Sequence, residues 1–143
     1  MPKNLDLFNQ QTAKIFAILL ETFPVPKSIR YTDFGIDIQQ LYLDKCSDNP
    51  KDVEQENARD VLDGTFRFLN ENGYLEFERS DGGYSTVRLS EKSLAILGQQ
   101  PKSLGGDETM GDRIINAVKN ESPSVIAGVI TNFFTMGVNL LTS

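Results

Sequence analysis

Residues 53–97, VEQENARDVLDGTFRFLNENGYLEFERSDGGYSTVRLSEKSLAIL, decide the fold, because their apolar spacing changes period twice. Ala58, Val61, Leu62, Thr65, Phe66 and Leu69 recur at steps of three and four, which predicts one buried stripe on a long α-helix. Asn72-Gly73 ends that helix, since glycine accepts the left-handed C-cap without strain. Leu75 and Phe77 then alternate with Tyr74, Glu76 and Glu78, the two-residue period of a strand that turns Leu75 and Phe77 inward. Ser80-Asp81-Gly82-Gly83 supplies turn residues, after which Val87 and Leu89 return to the core side with Thr86 and Arg88 outward. The pair of strands is a β-hairpin. Ser90 is placed as N-cap of a short helix from Glu91 to Leu97, with Leu94 and Leu97 directed back at the core.

On the N-terminal side, the apolar run Ile15 to Leu20, extended by Phe8 and Phe23, predicts a core helix from about Leu7 to Phe23. Pro24-Val25-Pro26 stops it. Ser28 to Tyr31 reads as a short third strand, and Thr32 or Asp33 as the cap of a second helix with Phe34, Ile38, Leu41 and Tyr42 on one face. Asp48-Asn49-Pro50 then starts the long helix with proline in its first turn. On the C-terminal side, the Gly, Pro, Ser and Gln residues from Gly98 to Thr109 predict a linker. Thr109-x-x-Asp112 has the pattern of a capping box, with Met110, Ile114 and Val118 along one helical face. Ser122-Pro123 opens a last helix. The expected fold class is α+β, mainly α, with a small β-hairpin and two C-terminal helices. The expected organisation is a domain over residues 1–98, a linker over 99–109 and a helical extension over 110–143.

The order of long helix, hairpin and capped short helix resembles the winged-helix superfamily from about Leu7 to Leu97. The segment Leu89-Ser90-Glu91-Lys92 is similar to the turn that follows the wing in regulators of the MarR and PadR type, with Ser93 where glycine is usual there. The resemblance implies a helix-turn-helix whose long helix enters a DNA groove, and hence transcription regulation. Its candidate DNA contacts are Arg59 and Arg67 on the helix and Arg79 and Arg88 on the wing.

Charge argues against that use of the surface. The chain of 143 residues has 14 basic and 20 acidic side chains, a net of −6, which repels a polyanion at long range. From Asp52 to Gln100, acidic residues outnumber basic ones ten to five. The outward positions of the long helix are Glu56, Arg59, Asp60, Asp63 and Arg67, so two arginines stand among three carboxylates. A DNA reader needs several positive contacts to phosphates besides base contacts. The simpler role for Arg59 and Arg67 is pairing along the helix with Asp63, Glu56 or Glu71, each pair contributing about 0.2–0.5 kcal/mol. Glu76, Glu78 and Asp81 crowd Arg79 and Arg88, so a cross-strand charge pair is the simpler account of the wing.

Ser122 to Ser143 contains no charged side chain over 22 residues. That approaches the roughly 20 residues needed to span a bilayer, so a tail anchor is one reading. Against it, Thr131, Thr135 and Asn139, beside Asn132, draw a polar stripe opposite Ile126, Ile130, Phe133, Phe134, Gly137, Leu140 and Leu141. Lysine and arginine do not flank the stretch, apart from Lys119. Burial of the apolar side against protein is the better account, either on the same chain or on a second copy as a homodimer. These seven residues are therefore the candidate association surface.

Composition narrows the function further. With 39% apolar residues the chain can bury a core without disulfides or metal. A lone cysteine and no N-terminal signal pattern lead to the expectation of a reducing, cytoplasmic setting. There is no histidine, so the commonest general base is missing and Cys46 lacks the imidazole that activates a thiolate. The acidic stretch Asp44-x-Cys46-x-Asp48-x-Pro50-x-Asp52 lacks the glycine and glutamate of a calcium loop. Lys102-Ser103 is not preceded by a phosphate-loop glycine. No catalytic, cofactor or metal site is expected. The sequence points to a non-enzymatic protein acting through protein association, including self-association. A dimeric DNA-binding regulator is the first alternative and a tail-anchored membrane adaptor the second.

Overall fold

The computed structural model describes residues 3–38, 50–100 and 107–142, without the side chains of 141 and 142. Helix α1 (Lys3–Thr22) leads to strand β1 (Lys27–Arg30) and a single 3-10 turn (Tyr31–Phe34). Helix α2 (Pro50–Glu71) is followed by strands β2 (Leu75–Ser80) and β3 (Gly83–Leu89) and helix α3 (Glu91–Leu97). Helices α4 (Met110–Asn120) and α5 (Pro123–Thr142) complete the chain. The architecture is α+β and mainly α, with one three-stranded antiparallel sheet in the order β1-β3-β2.

Local chemistry sets the boundaries. Gly73 ends α2 at φ +79, the cap expected from its sequence. The Ser90 side chain accepts from the Ser93 N–H at 3.1 Å and starts α3. Thr109 and Asp112 form the reciprocal capping box of α4, at 3.1 and 3.2 Å. Pro50 is the first residue of α2, as its missing N–H allows. The helix expected after β1 does not begin at Thr32 or Asp33, though Ile38 further on is helical. Asp33 accepts from the Arg30 N–H at 2.9 Å and Gly35 closes the turn at φ +73, so Phe34 belongs to one 3-10 turn. Leu41, Tyr42 and Asp44 to Asn49 lie outside the described residues, as do Pro101 to Gly106 of the expected linker.

The sheet contains an irregularity that strict alternation misses. Glu76 faces Arg88 and Glu78 faces Ser85, so β3 advances three residues while β2 advances two. The same extra residue appears against β1, where Lys27 faces Val87 and Ile29 faces Tyr84. Thr86 absorbs it at φ +49, a bulge on the central strand. The bulge inverts the parity of side chains before it. Tyr84 therefore enters the core alongside Val87 and Leu89, although period-two counting from those residues turns it out. At the start of the strand β1 comes so close that a Cβ on Gly83 would lie 2.3 Å from the Ile29 carbonyl oxygen. Tyr74 also corrects its expected outward placement. It lies before β2 and is 5% exposed, its ring against Phe133 and Phe134.

One core runs through the described chain. Phe16 and Ile15 of α1, Leu62 and Phe66 of α2, Val87 of β3, Ile96 of α3, Ile114 of α4 and Phe133 of α5 belong to a single buried cluster. Helices α4 and α5 both pack on α1, so the C-terminal helices share the core of the preceding elements. A polar tie joins α1 to α2. The Gln11 side chain donates to the Ala58 carbonyl and accepts from the Thr65 hydroxyl, both at 3.1 Å.

Candidate functional site

The four arginines named from the sequence lie on the helix and hairpin that the stripe and the alternation predict, and each faces a carboxylate. Arg67 Nε donates to Glu71 at 2.8 Å, one turn along α2, and Arg88 Nε donates to Glu76 at 2.8 Å, directly across the hairpin. Arg59 lies 3.6 Å from Asp60 and 3.9 Å from Glu56, not on Asp63 as one of the expected pairings had it. Arg79 corrects the expected cross-strand pair, because its guanidinium reaches out of the sheet to Asp63 on α2 at 2.9 Å. Lys92 donates to the Asn72 carbonyl at 3.0 Å and sits over the Tyr74 ring. Every basic side chain from Arg59 to Lys92 is thus engaged within the chain. The exposed carboxylates of Glu54, Glu78, Asp81 and Glu91 form no ion pair among the described residues.

Asp63 is the organising group of this face. Its Oδ1 accepts from the Tyr31 hydroxyl at 2.6 Å, from Arg79 and from the Tyr84 hydroxyl. The donors come from the 3-10 turn, β2 and β3, so one carboxylate on α2 ties down the hairpin and the segment beside it. Burial acts to raise its pKa, but the hydrogen bonds from Tyr31, Tyr84 and Arg79 outweigh burial and hold it below the usual carboxylate value. Burial and the bond to Asp63 push the Tyr84 hydroxyl well up, and the same two causes raise Tyr31. The bond to Asp63 raises Arg79 in turn, so its guanidinium stays charged. Tyr84 also stacks on Phe66 with centroids 3.7 Å apart and receives the Arg79 guanidinium over its ring at 5.0 Å.

Sequence reasoning placed Asp63 among solvent-facing charges and did not single out Tyr31 or Tyr84. The signal for Tyr84 was hidden by the bulge at Thr86. Beside the cluster two open clefts of about 800 and 500 Å³ share Tyr31, Ile38, Asp81 and Gly82 as lining. Among the described residues no three of Cys, Asp and Glu are grouped so as to hold a metal ion.

The candidate association surface of the tail is largely consumed inside the chain. Ile126, Ile130 and Phe133 are at most 6% exposed, and Gly137 is buried where a Cβ would lie 2.7 Å from the Tyr74 hydroxyl. Their contacts are with α1, α3 and α4 of the same protein, which corrects their use as a surface for a second copy. Phe134 is half-buried, Leu140 is 43% exposed, and the side chain of Leu141 lies outside the description. By length and composition Pro123–Leu140 is apolar enough to cross a membrane, with mean hydropathy 1.3. Comparison with protein-family models, with curated proteins and with solved structures gives no match for this chain.

Proposed function

We propose that the chain is a cytoplasmic, non-enzymatic winged-helix protein that works by protein association, using the acidic face of α2 and the hairpin. The winged-helix assignment is supported by the succession α1, β1, α2, β2, β3 and by the sheet order β1-β3-β2. The observation that carries the functional reading is the pairing of Arg59, Arg67, Arg79 and Arg88 with carboxylates of the same face. To grip a phosphate each arginine would leave a partner already in place, and the unpaired groups that remain are acidic. Such a face suits a partner that presents lysine and arginine. Burial of Ile126, Ile130 and Phe133 disfavours a tail anchor, because membrane insertion of α5 would strip those side chains from the core.

The test is fluorescence anisotropy at low salt with two labelled probes, a duplex DNA and a lysine-rich peptide. The peptide is expected to bind, weakening with salt and with the combined changes Glu54→Gln, Glu78→Gln and Asp81→Asn, while the DNA does not bind. Salt-sensitive DNA binding that disappears in Arg59→Ala and Arg67→Ala would replace this reading with the dimeric DNA-binding regulator.

A further inference from the structure

The two edges of the sheet are finished differently. In the order β1-β3-β2 the outer strands are β1 and β2. Beside β1, Pro26 has no N–H to offer, and the Arg30 N–H is taken by the Asp33 carboxylate at 2.9 Å, so Ser28 stands between two closed positions. A short strand blunted in this way does not template another.

The edge of β2 is left open. Ser80 faces Gly83 across the two-residue turn, and the Ser90 N–H bonds the Tyr74 carbonyl at 3.2 Å. The even-numbered residues of β2 therefore turn their main-chain groups to β3 and the odd-numbered ones turn theirs outward. The extra residue of the bulge belongs to β3, so β2 keeps this alternation. The Asn70 side chain closes the first outward position, donating to the Leu75 carbonyl at 3.1 Å. Beyond it, among the described residues, no hydrogen bond reaches the N–H or carbonyl of Phe77 or Arg79. Two successive outward residues with both main-chain groups unmet are a template for a fourth strand.

We propose that the partner of the acidic face binds here as an extended basic segment, adding a strand to β2 with lysine or arginine at alternate positions opposite Glu76 and Glu78. This rests on the association reading above and gives that partner a conformation. The choice of partner is carried by charge. On the solvent side of β2, Glu76 is paired with Arg88, while Glu78 has no ion pair among the described residues. On the helix side Arg79 is held by Asp63, and Arg67, between Asp63 and Asn70 on α2, is held by Glu71. Each guanidinium along the edge is thus matched, and Glu78 and the turn residue Asp81 are the carboxylates left over. A second copy fits worse. Phe77 against Phe77 about a two-fold axis sets Glu76 against Glu78 twice, and like charges directly opposite in neighbouring strands are destabilising. Between its basic positions the added strand places a residue beside Phe77, whose half-buried ring lies against Phe66 and Tyr84, so an apolar side chain fits there.

Binding of a fluorescent peptide of alternating lysine and valine to the full chain, followed by anisotropy and by amide hydrogen exchange, tests the proposal. The peptide is expected to slow exchange at the Phe77 and Arg79 amides. Two N-methylated forms separate strand addition from charge attraction, one methylated on the lysine amides and the other on the valine amides. Alternate amides of a strand point to opposite edges, so one form is expected to lose affinity about tenfold or more and the other to keep it. Equal affinity of the two forms, or unchanged exchange at Phe77 and Arg79 in the saturated complex, overturns strand addition and leaves the association reading standing. Slowing of the same two amides when the chain alone is concentrated also overturns it, by assigning the edge to a second copy. Failure of the unmethylated peptide to bind at low salt overturns the association reading and this one with it.

Discussion

Helix α2 carries two surfaces built on opposite principles. On the hairpin side, arginines and carboxylates are numerous and answer one another, with Asp63 receiving Tyr31, Tyr84 and Arg79 on a single oxygen. On the side of α1 and α5, Phe68 and the neighbouring rings of Phe8 and Phe134 carry no charge and are left partly open to water. The first surface is electrostatically satisfied, and its free valence is the surplus of carboxylates. The second is satisfied in packing only on its inner side. Abundant charge therefore does not mark the strongest unmet demand on this molecule, since exposed ion pairs contribute little to stability while uncovered aromatic area is costly to hydrate.

The comparison can be broken most decisively at the aromatic end, where depth should govern the effect. Phe133→Ala, at a fully buried site of α5, should destabilise the chain by about 3–5 kcal/mol in chemical denaturation. A loss under about 1 kcal/mol, far below that range, would show that α5 is not part of the core. Asp63→Ala comes next. It leaves two tyrosine hydroxyls and a guanidinium without their acceptor, for an expected loss of about 1–3 kcal/mol. Equal stability of Asp63→Ala and the parent would mean that water replaces the carboxylate and that the cluster organises nothing.

Acid sharpens the same point. The folded chain holds Asp63 below its ordinary value, so its stabilising contribution is complete above the unfolded pKa of about 3.9 and is lost as pH falls from there through the folded value. The stability gap between the parent and Asp63→Asn should be constant near neutral pH and close below pH of about 3.9. A gap that widens on acidification would reverse the assigned sign. The smallest effect belongs to Glu76→Ala, which removes the exposed partner of Arg88 and should change stability by no more than about 1 kcal/mol. A larger loss would place that pair in the same class as Asp63.

Much of the chain was legible locally. The stripe from Ala58 to Leu69, the Gly73 cap, the hairpin turn, the Ser90 cap and the Thr109–Asp112 box all form where residue spacing puts them, because each depends on groups within a few positions of one another. The pair of Arg67 with Glu71 was readable for the same reason, and that of Arg88 with Glu76 because a short turn folds the two strands onto each other. Apart from the 3-10 turn after β1, what failed was whatever depends on a neighbour distant in sequence. Tyr74 looked like an outward strand residue until α5 covered it, and the two-sided pattern of α5 could not say whether its apolar side met the same chain or another.

The sequence by itself determined the succession of helices and strands, the acidic balance and the absence of histidine, since these follow from composition, periodicity and short-range capping. Only the tertiary structure decided that the bulge at Thr86 turns Tyr84 inward, that Asp63 gathers three donors, and that Ile126, Ile130 and Phe133 are used up within the chain. The physical reason is that a periodic pattern specifies which side of an element is apolar, whereas burial and hydrogen bonding between elements depend on which other segment comes to lie against that side.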